Sequence, residues 1–349
     1  MFYPPPQQVV VTTAPARNSF SRAIFTTLAT TVFAGSLALN IYLLAWSGLM
    51  SSANDSGSQQ NVLVQGDAKQ KVGVIAVKGI IDGSTYRKFD KMLTQAEADK
   101  DLKALVIDID TPGGGVTASD QIYNRLLRFK AANEAAGKTI PVISTIGSLG
   151  TSGGYYVACA TDHIFTERTG LTGNIGVLLP RFNLSKMAEK YGVEETTIVS
   201  TGAPYKNAGS MFQPENEKEN QYIQKIADDA FAAFKDVVQK GRQSKLKAPI
   251  EQVADGRAFF AAEAETLGLI DATGTASDAF TYAAKQANLS NPHVVRFEEP
   301  QSLLSALTGS GDAQGNVGVS MDGKSIQIDP AKVIGELLTP RLMYLWRGQ

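Results

Sequence analysis

Residues 104–116, ALVIDIDTPGGGV, and residues 141–160, PVISTIGSLGTSGGYYVACA, decide how this chain folds. Each opens as a short run rich in Val and Ile, the pattern of a strand covered on both faces. Each then breaks into glycines, Gly113-Gly114-Gly115 in the first and Gly153-Gly154 in the second, before a helical pattern begins. Strand, glycine turn and helix in succession imply parallel β–α units and an α/β fold. The alternation continues outward. Residues 72–81, VGVIAVKGII, form another buried-type run, and 84–98 set Tyr86, Phe89, Met92, Leu93 and Ala96 on one helical face. Further helices are predicted over 118–136, 184–191 and 214–240, and a strand over 196–200. The longest helix has Pro214 at its first turn and Gly241 at its stop. Its apolar stripe runs through Tyr222, Ile223, Ile226, Ala230, Phe234 and Val237.

In parallel α/β folds, ligands bind where strands end and helices begin. Ser152, opening the helix after the second run, is there either as an N-cap or as a nucleophile beside free amides that would hold an oxyanion. A nucleophilic serine needs a base. His163 opens a predicted strand and His293 lies outside the core region, so neither suits the role. Lys206 is the only charged residue between Glu195 and Glu215. A lysine acts as a base only when neutral, which requires burial away from water and carboxylates. The plainer alternative is an exposed loop lysine.

Composition narrows the classes. With 349 residues and a net charge of −1, the chain has no basic stripe for nucleic acid. One cysteine, two histidines, and no HExxH, P-loop or helix-opening GxGxxG argue against metal centres and cofactors, and none is expected. Cys159 reads as an inert core residue, and Tyr155 and Tyr156 as core or groove-lining aromatics. From Ala23 to Met50 no residue is charged, a run long enough to span a bilayer. Arg17 and Arg22 precede it, so the tail stays in the cytoplasm and the rest is exported; a cleaved signal peptide is the rival reading. The expected division is tail 1–22, anchor 23–50, polar linker 51–70, catalytic domain 71–290 and C-terminal extension 291–349. The final apolar stretch, PRLMYLWRGQ, is expected to pack on a neighbouring subunit.

The series TPGGG, TSGGYYVACATD, TGNIGV, TGAPYKNAGS and ADGRAFFAAEAETLGLID, in that order from about Val72 to Asp271, resembles the S49 family of serine peptidases, the signal peptide peptidases. The resemblance implies a Clp/crotonase-like fold of repeated ββα units behind an N-terminal transmembrane helix. It makes Ser152 the nucleophile and Lys206 the base of a Ser-Lys dyad, and the amides of Gly114 and Gly153 the oxyanion hole. It implies an endopeptidase in the cytoplasmic membrane, single-pass with its catalytic domain outside, degrading signal peptide remnants or other apolar peptides. It also implies a homo-oligomeric ring. Asn174 stands where the family often has serine and is expected to help orient the lysine. Val177 lies where the Clp proteases carry their histidine, which favours the lysine. Ala261-Ala262 replaces a Thr-Gly-like pair and bears on packing. Two other classes compete: a catalytically silent membrane scaffold, which would have no need of Ser152 or Lys206, and a crotonase-like acyl-CoA enzyme, which would leave the lysine unexplained.

Overall fold

The computed structural model describes residues 19–54, 60–299, 319–322, 325–328 and 341–348. The chain divides into two compact units, residues 1–57 and 58–349. The first contains α1 (Ser19–Asn54), 36 residues long, with Phe25, Leu28, Val32, Phe33 and Leu37 exposed along it. Among the described residues no helix is long and apolar enough to cross a membrane. Within the anchor expected over 23–50, side chains are described only at 24, 25 and 27–43.

The second unit is built on nine strands. In chain order its elements are β1 (Gln60–Val64), β2 (Asp67–Lys78), α2 (Gly83–Ala98), β3 (Leu102–Thr111), β4 (Gly113–Gly115), α3 (Val116–Ala135), β5 (Val142–Thr151), α4 (Gly153–Ala158), β6 (His163–Thr166) and β7 (Leu171–Gly173). There follow α5 (Ser185–Lys190), α6 (Glu217–Arg242), α7 (Ile250–Val253), β8 (Ala258–Phe260), α8 (Ala261–Leu267), β9 (Ala272–Thr273), α9 (Ala276–Gln286) and β10 (Pro292–Phe297). A two-stranded pair, β11 (Val319–Asp322) and β12 (Ser325–Ile328), stands apart, and β13 (Met343–Leu345) pairs with β4. The main sheet runs β1-β10-β2-β3-β5-β6-β9, with β7 joining β5 to β8. Its ladders are parallel except β1–β10 and β7–β8. The chain is thus α/β around a parallel-dominated sheet, the class that the alternation of runs implies.

Two-faced burial explains the unbroken apolar runs. Along β3, Leu105, Ile107 and Ile109 enter one core with Phe89, Leu93, Ile122, Leu126 and Phe234. Ala104 and Val106 enter the other, against Ala279, Ala283 and Ala284 of α9. Each aliphatic side chain so buried contributes ~1.5–3 kcal/mol. The start of α2 is fixed by Asp82, whose carboxylate accepts from the Ser84 and Thr85 amides.

Several elements differ from expectation. Residues 60–64, within the expected linker, form β1, because β10 offers an open edge for it to pair with. β10 itself lies beyond residue 290 yet sits inside the sheet, between β1 and β2. Residues 196–200 are not a strand: among the described residues none pairs with them, and Ile198 is 96% exposed. Gly241 lies inside α6 and does not stop it. A Cβ there would come 2.3 Å from the Cys159 carbonyl oxygen, so the glycine serves the close packing of α6 on α4. The C-terminal apolar stretch, expected on a neighbouring subunit, lies on its own chain as β13.

Candidate active site

Parallel pairing of β3 with β5 sets Thr111 beside Gly150, so the two glycine junctions emerge together at the carboxyl edge of the sheet. After β3 the chain turns at Gly113, φ +97°, a backbone that needs glycine. After β5 it turns at Ser152 directly into α4. Ser152 has φ 54° and ψ −115°, a strained conformation costing ~1–3 kcal/mol for a residue with a side chain. Fixed bonds hold it there: the Ser152 amide donates to the Gly173 carbonyl at 2.7 Å, and the Tyr156 amide to the Ser152 carbonyl at 2.9 Å. The serine is fully buried, and its Oγ has no hydrogen-bond partner among the described residues. A hydroxyl buried without a partner costs ~1–3 kcal/mol and is tolerated where function uses it.

Gly153 opens α4, so its N–H has no partner within the helix. A Cβ on Gly153 would lie 2.5 Å from Ser119 Oγ, 3.2 Å from the Gly114 nitrogen and 3.3 Å from the Gly113 Cα. The Gly114 and Gly153 amides, from different junctions, therefore meet beside Ser152.

Lys206 is not part of this cluster. It lies on a 3-10 turn, Pro204–Asn207, and is exposed. A cavity of about 330 Å3 beside it is lined by Arg181, Phe182, Gly209, Met211 and Phe212, without Ser152. The burial expected of a basic lysine is not found among the described residues, where Lys206 is exposed on an arm running from 180 to 212. That arm exposes Phe182, Met187, Tyr191, Val193, Ile198, Tyr205 and Phe212. Glu195 braces its base, accepting from Thr197, Asn207 and Ser210. These bonds hold its carboxyl below the usual range. Asn174, expected near the lysine, has φ 53° and instead donates from Nδ2 to the Gly256 carbonyl. Its amide donates to the Arg257 carbonyl at 2.8 Å. Val177 packs on the main core.

An aromatic cluster forms around Tyr156 of α4, the helix that Ser152 opens. Tyr344 of β13 is buried and stacks on Tyr156, ring centroids 5.1 Å apart at 23°. Phe234 lies 4.6 Å from it, and Tyr123 meets Tyr156 edge-on at 5.3 Å. Tyr156 Oη donates to Asp120 Oδ1 at 2.8 Å. Burial pushes the Tyr156 and Tyr344 phenols well above their ordinary range, and Tyr123 to about 12. Sequence reasoning reached Tyr156 but missed Tyr123, Phe234 and Tyr344 as the rings packed around it. The one signal was an apolar stretch at the chain terminus; the strand that receives it, three glycines, carries no hydrophobic pattern.

Comparison with known proteins follows the same residues. The family model of peptidase family S49 matches residues 134–290. A putative protease of Synechocystis sp. is 35% identical over 70% of this chain and 85% of its own length. The putative signal peptide peptidase SppA of Enterococcus faecium is 28% identical over 83% of this chain and 85% of its own. Among solved structures, a mutant of the 1510-N membrane-bound stomatin-specific protease in complex with a substrate peptide covers 69% of this chain and 97% of that chain, with 22% identity and a TM-score of 0.42. With a relative at that identity matched over most of its length, and the serine seated at the glycine junctions, this chain belongs to peptidase family S49 and is a serine peptidase.

Proposed function

We propose that this chain is a membrane-anchored endopeptidase in which Ser152 and Lys206 form a dyad completed between neighbouring copies of the chain. The observation that carries this reading is the Ser152 hydroxyl, buried, strained in its backbone and without a hydrogen-bond partner among the described residues, beside the Gly114 and Gly153 amides. Lys206 sits on an arm rich in exposed apolar side chains, a surface that a second copy would cover. Covering it dries the amine and lowers its affinity for a proton, the condition for a lysine base. Ser152 Oγ then attacks the substrate carbonyl carbon while Lys206 Nζ takes the hydroxyl proton. The oxyanion is held by the two glycine amides, each worth ~3 kcal/mol to the transition state. As the intermediate collapses, Lys206 returns the proton to the leaving amine. A water activated by the same amine then hydrolyses the acyl ester and frees Ser152.

Residues 23–50 would anchor the enzyme in the cytoplasmic membrane, with the catalytic unit outside. Its substrates would be signal peptide remnants or other apolar peptides released at the membrane. Mixing tests the reading. Ser152→Ala and Lys206→Ala chains, each inactive alone, should regain cleavage of an apolar peptide when refolded together. A mixture as inactive as its parts would place serine and base on one chain. Full activity of the Lys206→Ala chain alone would remove the dyad.

A further inference from the structure

Thr111 touches both glycine junctions. It ends β3 where the chain turns toward Gly113, and its side chain is fully buried. The hydroxyl donates to the Gly79 carbonyl just past β2 and accepts from the Gly113 amide at 3.0 Å. A second acceptor, the Gly113 carbonyl, lies farther off at 3.4 Å. Backbone bonds tie the same turn to the loop after β2: the Gly79 amide donates to the Asp110 carbonyl at 3.0 Å, the Ile81 amide to the Gly113 carbonyl at 2.9 Å and the Gly115 amide to the Ile81 carbonyl at 2.8 Å. The last two make a parallel bridge between Ile81 and Gly114. In such a bridge the middle residue turns its own amide away from the partner. Of the three glycine amides, Thr111 takes the first and Ile81 the third. The middle one is turned away from Ile81, and a Cβ on Gly153 would stand 3.2 Å from its nitrogen. The other branch of the Thr111 side chain reaches the second junction, where a Cβ on Gly154 would stand 2.6 Å from the Thr111 methyl.

We propose that Thr111 is a positioning residue for the peptidase reaction, setting the spacing and aim of the two amides that hold the oxyanion. The proposal rests on the reading of Gly114 and Gly153 as those donors. Gly113, at φ +97°, has the softest torsions of the turn, so its two flanking peptide planes must be fixed from outside. The Thr111 hydroxyl fixes the first through the Gly113 N–H, and Ile81 fixes the second through the Gly113 carbonyl. That second plane carries the Gly114 N–H. A threonine is stiff at χ1, and the methyl seated at Gly154 leaves the hydroxyl one direction to point. One side chain thus registers the turn that supplies Gly114 against the helix that supplies Gly153. Loss of the hydroxyl frees the first plane, lets Gly113 relax, and moves the Gly114 amide relative to its partner donor.

The test compares Thr111→Val and Thr111→Ser in the full chain. Valine keeps the branched shape and loses the hydroxyl; serine keeps the hydroxyl and frees its rotation. On an apolar peptide substrate, kcat per folded enzyme should fall about ten- to a hundredfold in Thr111→Val with KM unchanged, and only about threefold in Thr111→Ser. A peptide aldehyde adds a second readout. Ser152 Oγ bonds to its carbon, the hydroxyl proton passes to the base, and the former carbonyl oxygen takes the place of the oxyanion. Its affinity should drop by the same factors, while the parent peptide without the aldehyde binds as before. Mere packing would give the opposite order, with valine nearer to native than serine. That order, native kcat in Thr111→Val, or a loss confined to KM overturns the proposal. If Thr111→Val does not fold, Thr111→Cys is set against Thr111→Ser, two side chains of one shape of which the thiol bonds more weakly; equal kcat in the two then overturns it. Gly153→Ala separates the two readings. If it leaves aldehyde affinity untouched, the assignment of the donors fails and the role of Thr111 with it; if it weakens the aldehyde and Thr111→Val does not, the role of Thr111 alone falls.

Discussion

Replacing Asp271 by asparagine should make the fold both weaker and less sensitive to acid. Asp271 Oδ2 accepts from Arg242 Nη1 and from the Ile164 amide, both at 2.8 Å, and its other oxygen lies 3.0 Å from Lys245 Nζ. Arg242 is fully buried at the end of α6 and also donates from Nε to the Gly268 carbonyl at 2.9 Å. Burial alone would raise the Asp271 pKa, but the hydrogen bond and charge of Arg242, aided by Lys245 and the Ile164 amide, outweigh it and hold the carboxyl at about 2. In the unfolded chain it titrates near 3.9. The folded state therefore binds this proton less readily than the unfolded one. Its contribution is complete above pH ~4 and fades as pH falls toward the folded value. Nearly two units correspond to ~2.5 kcal/mol. Asp271→Asn forfeits this and leaves Arg242 without its counter-charge, so a loss of about 3 kcal/mol is expected at pH 7. Urea unfolding followed by circular dichroism, repeated from pH 7 to pH 2.5, should show the gap between the two chains narrowing by about 2 kcal/mol. A gap that stays constant across that range would refute the reasoning.

Two further substitutions probe the site and its surroundings. Gly153→Ala should lower peptidase activity ~10²- to 10³-fold, the cost of a disturbed oxyanion donor. Adding Ser119→Ala should restore part of it, since the 2.5 Å contact disappears and the remaining ones are 3.2 Å or longer; undiminished activity in Gly153→Ala would exclude that amide from catalysis. Cys159 is buried and its thiol is pushed up to about 12 by that burial, so alkylation at pH 8 should be negligible in the native chain and proceed once urea unfolds it. Labelling of the native chain at the rate of a free thiol would contradict this packing.

The core and the serine were legible because their signals are local. Apolar runs of β-branched residues announce strands buried on both faces, and glycines after them announce the turns that place Ser152. Lys206 could be singled out as the only charge in its segment, yet its surroundings could not be read, since burial of an arm depends on what a neighbouring surface supplies. Residues 196–200 have the composition of a strand, but a strand exists only with a partner, and sequence periodicity does not reveal whether one is in reach. β1 and β13 were missed for the converse reason. Gln60–Val64 follows directly on a Ser-, Asn- and Gln-rich stretch and pairs with a strand more than 200 residues away, and Gly113–Gly115 has no side chains to announce that another strand will lie on it.

The place of β10 bears on how the protein is made. β2 carries some of the most apolar sequence of the catalytic unit, and one side of it is closed by β10, which is synthesised more than 200 residues later. The Phe297 ring then settles on Gly73, where a Cβ would stand 2.6 Å from it. Until Pro292–Phe297 leaves the ribosome, β2 has an unpaired backbone edge and β1 has no partner at all. A chain stalled or truncated before residue 297 would therefore present a sticky strand to its neighbours, and completion of this sheet waits on a segment made more than 200 residues after β2.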